Sequence, residues 1–570
     1  MRKNPAVLTG VLVGVLLAAA LTGVLALGDR ALGLPFIPFD VLDWMARTLP
    51  GNVITFGIDT MVGLLRTLGL SVRDTAKTAE QIMAIAGLIV TAGVVGGVLF
   101  ALLRALGERG RAQATGIGAL AGLAFGVPIT LISQSVNATA TASPVVSAVW
   151  TVAVFAVWGV LAGWAYRELA QAAPAPAAAA DAPSVEVTGR REFLVKLAAG
   201  SAAVTVVGAG LASVIRTRED QAVTLDDVPA GGGTPAPSAG GESAAPDAAA
   251  NVAEQAIELK NPLPNAGAEP EPAPGTRPEY TPLEEHYRID INARPPAVEL
   301  DNWRLEIGGM VDSPLSLSLA DLIGRYEPVH RFVTLSCISN TIGGDLISTT
   351  LWTGARLSEV LADAGVQPGA QFLNIEAGDG FHESLSLDLL ERDDRIMLTY
   401  FWDGQPLTRD HGAPLRIYIP NRYGMKQPKW IVRMQVSDTQ DEGYWVERGW
   451  SETAFVNATS VIDTVAANDA FEEDGQTFVP IGGIAYAGDR GISRVEVQMD
   501  EGDWTEAEVR PALSDTTWAI WRINWPFEEG AHTFRVRCYE EDGTLQPTDS
   551  RVVRPDGATG IDTEMASLEG

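Results

Sequence analysis

Long uncharged apolar runs dominate the first third of the chain. Ala6–Leu27 carries no charge and follows Arg2 and Lys3, the length and flanking pattern of a membrane-spanning helix with its N-terminus inside. Ile82–Leu103, Gly116–Ser133 and Val145–Tyr166 repeat that pattern. The stretch between the first two runs, with Trp44, Arg47 and Arg66, is too charged to cross and predicts amphipathic helices on the outer surface. Counting crossings places the basic loop Arg104–Arg111 and Arg167 inside, and the loop Gln134–Ser143, which has no basic residue, outside. Crossing count and charge bias therefore agree. Small residues recur at helix-packing intervals, at Gly93 and Gly97, at Gly118, Gly122 and Gly126, and at Gly159 and Gly163. A packed four-span bundle is expected over residues 1–170.

An Ala/Pro linker (171–187) leads to Gly189-Arg190-Arg191-Glu192-Phe193-Leu194-Val195-Lys196 and the apolar run Leu197–Ile215. Paired arginines ahead of Phe-Leu resemble a twin-arginine export signal; the plainer reading of 188–216 is a fifth span with basic inside flank. Both readings keep Arg190 in the cytoplasm and put the chain beyond Arg216 outside. Residues 217–279 are rich in Ala, Pro, Gly and acidic side chains without a sustained apolar period, and predict a disordered tether.

From Tyr280 the texture changes to short strands punctuated by Gly, Pro, Asn and Asp. Phe332–Ser336, Arg416–Ile419 and Trp430–Val436 read as strands, Ser318–Tyr326 and Leu357–Ala364 as brief helices. Residues 280–461 are thus expected to form an α+β domain. From residue 462 to 570 the pattern is all β: Val495, Val497 and Met499 alternate with polar residues, as do Phe534, Val536 and Cys538. An immunoglobulin-like sandwich is the expected architecture there.

Charge sharpens this division. Residues 1–218 hold 16 Lys/Arg against 11 Asp/Glu, whereas the remaining 352 hold 25 against 60. A net charge of −35 over the second part repels phosphate backbones, which excludes nucleic acid as a partner. Two cysteines, Cys337 and Cys538, exclude a disulfide scaffold, an all-Cys iron–sulfur cluster and C-x-x-C-H haem attachment. The first histidine is His286, so the apolar spans hold no bis-histidine haem. Cys538 shares a strand face with Phe534 and Val536 and reads as a core thiol.

Cys337 stands where a strand gives way to the polar loop Ile338-Ser339-Asn340-Thr341-Ile342-Gly343-Gly344-Asp345. A thiol there suits a nucleophile, a ligand for a soft metal or a half-buried structural role; His330, His382 and His411 are available as bases, and spacing pairs none of them with it. Val333-Thr334-Leu335-Ser336-Cys337-Ile338-Ser339-Asn340 with Gly343-Gly344-Asp345 resembles the molybdenum-binding loop of the sulfite oxidase family of molybdopterin oxidoreductases. Arg304–Val311, Asp410-His411-Gly412-Ala413-Pro414-Leu415-Arg416, and Tyr423-Gly424 with Lys429-Trp430 resemble further family segments in the same order, and the Trp504 and Trp518–Trp525 regions its C-terminal domain. The resemblance spans roughly residues 280–563 and points to a bacterial membrane-anchored branch.

The resemblance implies molybdenum held by one pyranopterin dithiolene and by Cys337, with Ser339 and Asn340 beside the metal. It implies Arg416 and Lys429 as cations for the pterin phosphate, His411 and Gln427 as hydrogen-bonding neighbours, and His286, Tyr287 and Arg288 closing on the pterin. Animal and plant sulfite oxidases follow the loop asparagine with two arginines that help hold sulfite. Thr341 and Ile342 stand here, so a small dianion is not the expected substrate. Neither haem nor an iron–sulfur cluster is expected, and electrons would reach an external carrier or a separate redox subunit; dimers through the C-terminal domain fit the family. The expectation is a multi-pass plasma-membrane protein with an extracytoplasmic enzyme doing two-electron oxygen-atom transfer on a small molecule, by S- or N-oxide reduction or by oxidation. The rival reading is a catalytically inactive cell-surface binding module that keeps the fold.

Overall fold

The computed structural model describes residues 5–136, 140–171, 189–215, 223–228, 244–296 and 298–568. The Ala/Pro linker and most of 216–243 lie outside the described residues. The chain divides into two compact units, one of Met1–Met61, Thr75–Gln221 and Asp290–Ala297, the other of the remainder.

Among the described residues of the first part of the chain run eight helices: α1 (Val7–Leu32), α2 (Ile37–Thr48), α3 (Gly51–Thr67), α4 (Val72–Ala105), α5 (Gly107–Ala112), α6 (Ala114–Val136), α7 (Pro144–Gln171) and α8 (Arg190–Val214). Of these, α1, α4, α6, α7 and α8 are long and apolar enough to cross a membrane. They coincide with the five apolar runs of the sequence. The charged stretch between the first two runs folds as α2 and α3, and Asp40 and Asp43 of α2 are buried. Asp43 accepts from the Ala293 amide at 2.8 Å, and Arg294 makes a two-pronged ion pair with Asp29 at 2.8 and 3.0 Å. Residues 290–296 therefore pack in the helical unit, although sequence placed them within the α+β domain.

Glycine makes the helix packing possible. A Cβ on Gly118 would sit 2.2 Å from the Gly159 carbonyl oxygen, and one on Gly163 2.1 Å from that of Ala114. Helices α6 and α7 thus meet backbone to backbone, the arrangement the glycine spacing predicts. Likewise a Cβ on Gly96 of α4 would lie 2.5 Å from the Gly10 oxygen of α1. Gly159→Leu should force α6 and α7 apart, at a cost of at least roughly 1–3 kcal/mol, and lower the thermal midpoint of the detergent-solubilised protein. An unchanged midpoint would contradict this packing.

The segment read as a disordered tether is partly built. Helix α9 (Ala244–Lys260) places Ala249, Val252, Ala253 and Ala256 in the core, at helical spacing, and Lys260 pairs with Asp403 at 3.0 Å. The following strap also has fixed partners. The Asn265 carbonyl accepts from Arg510 at 2.9 Å, and Arg277 pairs with Asp463 at 2.6 Å. Alanines carry little hydropathy contrast, so their period was lost among the Ala/Pro-rich surroundings.

The α+β region contains β1 (Leu305–Gly309), β2 (Leu315–Leu317), α10 (Leu319–Arg325), β3 (Pro328–Ser336), β4 (Ile347–Arg356), α11 (Leu357–Ala364), β5 (Phe372–Ala377), β6 (His382–Ser386), α12 (Leu387–Arg392), β7 (Met397–Trp402), β8 (Gln405–Pro406), β9 (Arg416–Tyr418) and β10 (Ile431–Ser437). One sheet runs β2-β1-β10-β5-β6, with β1 and β10 parallel; the other runs β3-β4-β7-β8, with β9 on β7. Ile307, Leu373, Leu398, Ile417 and Met434 fill the core that both sheets and the helices share.

Eight strands follow: β11 (Thr459–Val465), β12 (Phe471–Glu473), β13 (Gln476–Tyr486), β14 (Arg494–Met499), β15 (Thr505–Val509), β16 (Ala519–Pro526), β17 (Gly530–Tyr539) and β18 (Asp562–Leu568). They form one continuous antiparallel path, β11-β13-β16-β15-β14-β17-β18, with β12 on β13. The path curls so that β11 returns to β18, where the Ile462 amide donates to Asp562 at 2.8 Å, giving a barrel-like sheet. Cys538 lies fully buried in its core beside Val495, Trp521 and Phe534, as its strand face predicts.

Candidate functional site

Strands β3 and β4 form a hairpin whose last paired residues are Ser336 and Ile347. Cys337 follows at once, and its amide donates to the Leu346 carbonyl at 3.0 Å, so the ladder extends one step into the loop. Asn340 closes the loop from inside: its amide donates to the Cys337 carbonyl, and its Oδ1 accepts from the Leu346 amide, both at 3.0 Å. Gly344 is needed for this closure, because a Cβ there would fall 2.3 Å from Asn340 Oδ1. The thiol of Cys337 is buried and lies 3.0 Å from the Ser339 hydroxyl. Burial pushes that thiol up from its ordinary range. None of the described histidines hydrogen-bonds it; His330 meets Thr353 and Gln255, and His382 meets Glu447.

A second cluster gathers aromatic rings and cations. Tyr287 docks on β4 through its amide, which donates to the Ser348 hydroxyl at 3.1 Å. The His286 ring lies 5.2 Å from the His411 ring and 5.3 Å from that of Trp402. Arg416, at the start of β9, stacks its guanidinium 4.5 Å from the Trp352 ring and donates to the His411 carbonyl at 3.2 Å. Lys429 donates to the Asp410 carbonyl at 3.1 Å, and Arg288 pairs with the Asp410 carboxylate at 2.7 Å. The turn bearing His411 is tied to Lys429 and Trp430, since Trp430 Nε1 donates to the Arg409 carbonyl at 2.7 Å. Gly412, at φ +110°, lets the turn pass close beside the Lys429 side chain.

The cluster is electrostatically unusual. Arg416 is 3% exposed and pairs with no carboxylate among the described residues. Burial lowers its pKa to about 10. Burial first, and the neighbouring cations second, push His286 down to about 3 and His411 well below the ordinary histidine range. Both imidazoles are therefore neutral in the folded chain. Below pH 6.5 the unfolded chain takes up protons that the folded one refuses, so this stability is complete above pH 6.5 and falls with pH. Each histidine contributes up to ~1.4 kcal/mol per pH unit. The thermal midpoint should drop between pH 7 and pH 5, and drop less in His411→Gln; a midpoint unchanged over that range in the unsubstituted chain would contradict the account.

Several polar atoms here have no partner among the described residues. Nδ1 of His286 faces the Tyr287 carbonyl and must donate, which leaves Nε2 a bare, buried acceptor. Gln427 spends its NH2 group on the Ile419 and Arg422 carbonyls, leaving Oε1 bare. Nε of Arg416 also lacks an acceptor. Bare buried acceptors and an uncompensated cation are costly unless a further group completes them.

The structure thus brings His286, Tyr287, Arg288, His411, Arg416 and Lys429 together. Cys337 adjoins the group through Tyr287, whose hydroxyl packs at Gly424 near the end of β3 and whose pKa is raised by burial and by Cys337. Ser339 touches the thiol, Asn340 staples the loop, and Gln427 braces its own segment. Sequence reasoning missed Trp352 and Trp402, which stand on β4 and β7, strands buried along nearly their whole length. It also missed the buried pair Lys426–Glu383, joined at 2.6 Å, which holds the turn ahead of Gln427. A lysine and a glutamate 43 positions apart carry no local signal of pairing.

Two family models match the chain in succession: the oxidoreductase molybdopterin binding domain over residues 292–445 and the Mo-co oxidoreductase dimerisation domain over 451–554. Residues 292–554 thus carry the two domains of the sulfite oxidase family of molybdopterin oxidoreductases. Mitochondrial sulfite oxidase of Homo sapiens is 30% identical over 313 residues, covering 47% of this chain and 56% of that protein. Nitrate reductase [NAD(P)H] of Hordeum vulgare is 26% identical over 330 residues, 47% of this chain and 37% of that one. The matched part thus spans little more than half the length of the first and just over a third of the second. Among solved structures, the sulfane dehydrogenase SoxCD of Paracoccus pantotrophus overlaps 51% of this chain and 84% of its own, at 23% identity and a TM-score of 0.44.

The cluster fits the family's cofactor. A pterin ring presents N–H donors, and the bare His286 Nε2 and Gln427 Oε1 are acceptors; its terminal phosphate needs cations, and Arg416 is a buried one without a counter-ion. The Cys337 thiol is a soft donor at the edge of the same region.

Proposed function

We propose that this chain is a membrane-anchored, extracytoplasmic molybdopterin-dependent oxidoreductase carrying out two-electron oxygen-atom transfer, with the Cys337 thiolate as the protein ligand to molybdenum. The observation that carries it is the buried Arg416, which pairs with no carboxylate among the described residues and lies beside His286, whose Nε2 has no partner there. An inactive binding module gains nothing from such a cation and bears its full desolvation cost.

Bound molybdopterin would supply the oxygen-atom chemistry. Arg416 and Lys429 would hold the phosphate, with Arg288 steadied by Asp410. His286 and Gln427 would accept from the pterin, and His411 would fix Arg416 through its carbonyl. Tyr287 and the Trp352 and Trp402 rings would exclude water. Ser339 would orient the Cys337 sulfur, while Asn340 keeps the loop closed.

The five apolar helices support membrane anchoring. Arg190 Nε donates to the Leu169 carbonyl at 2.9 Å, so the end of α7 and the start of α8 share one side, as a cytoplasmic position for both requires. The twin-arginine pattern fits export of a domain already loaded with cofactor. We read the curled C-terminal sheet as an immunoglobulin-type module that pairs two copies, in line with its match to a dimerisation domain. Oxygen-atom transfer moves two electrons, so turnover needs an external carrier or redox subunit. Protein made in a host unable to synthesise molybdopterin should show no viologen-linked turnover of any oxide; equal turnover from both hosts would overturn the reading.

A further inference from the structure

The loop after Cys337 is fastened from outside as well as from within. Asn340 closes it internally through the Leu346 amide. Asp345, the residue before Leu346, is held by a segment far away in sequence. Its Oδ2 accepts from the Ser71 hydroxyl at 2.8 Å and from the Arg73 amide at 3.3 Å. Ser71 stands just ahead of α4, and its hydroxyl oxygen also accepts from the Asp74 amide at 3.3 Å. One side chain thus caps the helix and reaches the loop. Residues Val62–Asp74 lie in the same compact unit as Cys337. Leu65 and Val72, on either side of the turn between α3 and α4, are buried.

The loop needs such a tie. Gly343, at φ +71°, and Gly344 stand immediately before Asp345, and two consecutive glycines leave the chain much freedom to lose on ordering. Just beyond, the Leu346 carbonyl accepts from the Cys337 amide and the Leu346 amide donates to Asn340. Movement of Asp345 would therefore loosen both bonds. A carboxylate at the first turn of α4 also meets the positive end of the helix dipole. Residues 72–81 precede the apolar run that begins at Ile82, so the contact stands clear of the spanning part of α4. The turn also lies outside the residues that the two family models match.

We propose that the α3–α4 turn is a clamp on the Cys337 loop, with Ser71 a positioning residue that acts through Asp345 to keep the thiol buried. That Cys337 ligates molybdenum rests on the proposed function; the clamp does not. The test is the rate of Cys337 alkylation by iodoacetamide in the full, cofactor-free chain in detergent, with Cys538 as internal reference. The reagent reaches a buried thiol only through local opening. Ser71→Ala and Asp345→Ala should each raise the Cys337 rate roughly tenfold, the worth of one hydrogen bond to a charged group, while Cys538 stays slow. Ser71→Thr, which keeps the hydroxyl, should keep the slow rate. The double variant should react no faster than Asp345→Ala alone. Unchanged Cys337 rates, or effects that multiply in the double variant, would overturn the clamp. A parallel rise at Cys538 would also overturn it, since the loosening would then be general. Molybdenum in the unsubstituted chain from a host that makes the cofactor reads the enzyme separately. No metal with the alkylation pattern intact removes the enzyme reading and leaves the clamp; full metal with unchanged rates does the reverse.

Discussion

Cys337→Ala should abolish turnover while leaving the fold in place. The thiol is a small buried group whose side chain, among the described residues, hydrogen-bonds only the Ser339 hydroxyl. The loop itself is held by backbone and Asn340 contacts that the substitution does not touch. Loss of the sulfur thus removes little packing. Under the proposed function it also removes the soft donor to the metal. Groups that merely orient a metal ligand typically cost 10–100-fold when lost, and a direct ligand should cost more, at least roughly a thousandfold. Steady-state assay of the variant with its thermal midpoint checks both halves. Residual activity within tenfold of the unsubstituted chain would exclude Cys337 as the ligand.

Arg416→Met should have opposite effects on stability and on cofactor content. In the cofactor-free chain the guanidinium is buried with one carbonyl and one indole face for company. Replacing an uncompensated buried cation by an apolar side chain of similar length relieves its desolvation cost, so the cofactor-free variant should be as stable or more stable, by about 1–4 kcal/mol. Cofactor retention should fall instead, because a charge-assisted hydrogen bond contributes about 1.5–3 kcal/mol, or roughly 10–100-fold in affinity. Thermal midpoints of cofactor-free protein and pterin content after gel filtration read the two effects separately. A destabilised variant that retains its pterin would show Arg416 to be structural. Exchange of stability for binding is expected where a site is built for an anion.

These expectations show how unevenly the sequence discloses the molecule. The five apolar helices are legible because uninterrupted hydropathy over some twenty residues has few other uses, and the glycine contacts of α6 and α7 follow from their spacing. Cys337, His411, Arg416 and Lys429 were singled out by their resemblance to family segments, and the structure brings His411, Arg416 and Lys429 into one cluster. Trp352 and Trp402 were not, because a site wall and a core residue share the same pattern along a buried strand. Nor was Lys426–Glu383, since pairing across 43 positions depends on tertiary structure. Helix α9 was lost for another reason: of its buried positions Ala249, Val252, Ala253 and Ala256, three are alanines, which bury well but scarcely differ in hydropathy from their neighbours. Residues 290–296 packed in the helical unit through Asp29, Asp43 and Arg294, a placement fixed by partners more than two hundred positions away.

The most direct test is molybdenum and pterin content of the full chain, purified in detergent from a host that makes the cofactor. The account predicts stoichiometric molybdenum with equal pterin, reduced in Arg416→Met. A folded chain containing neither would contradict it.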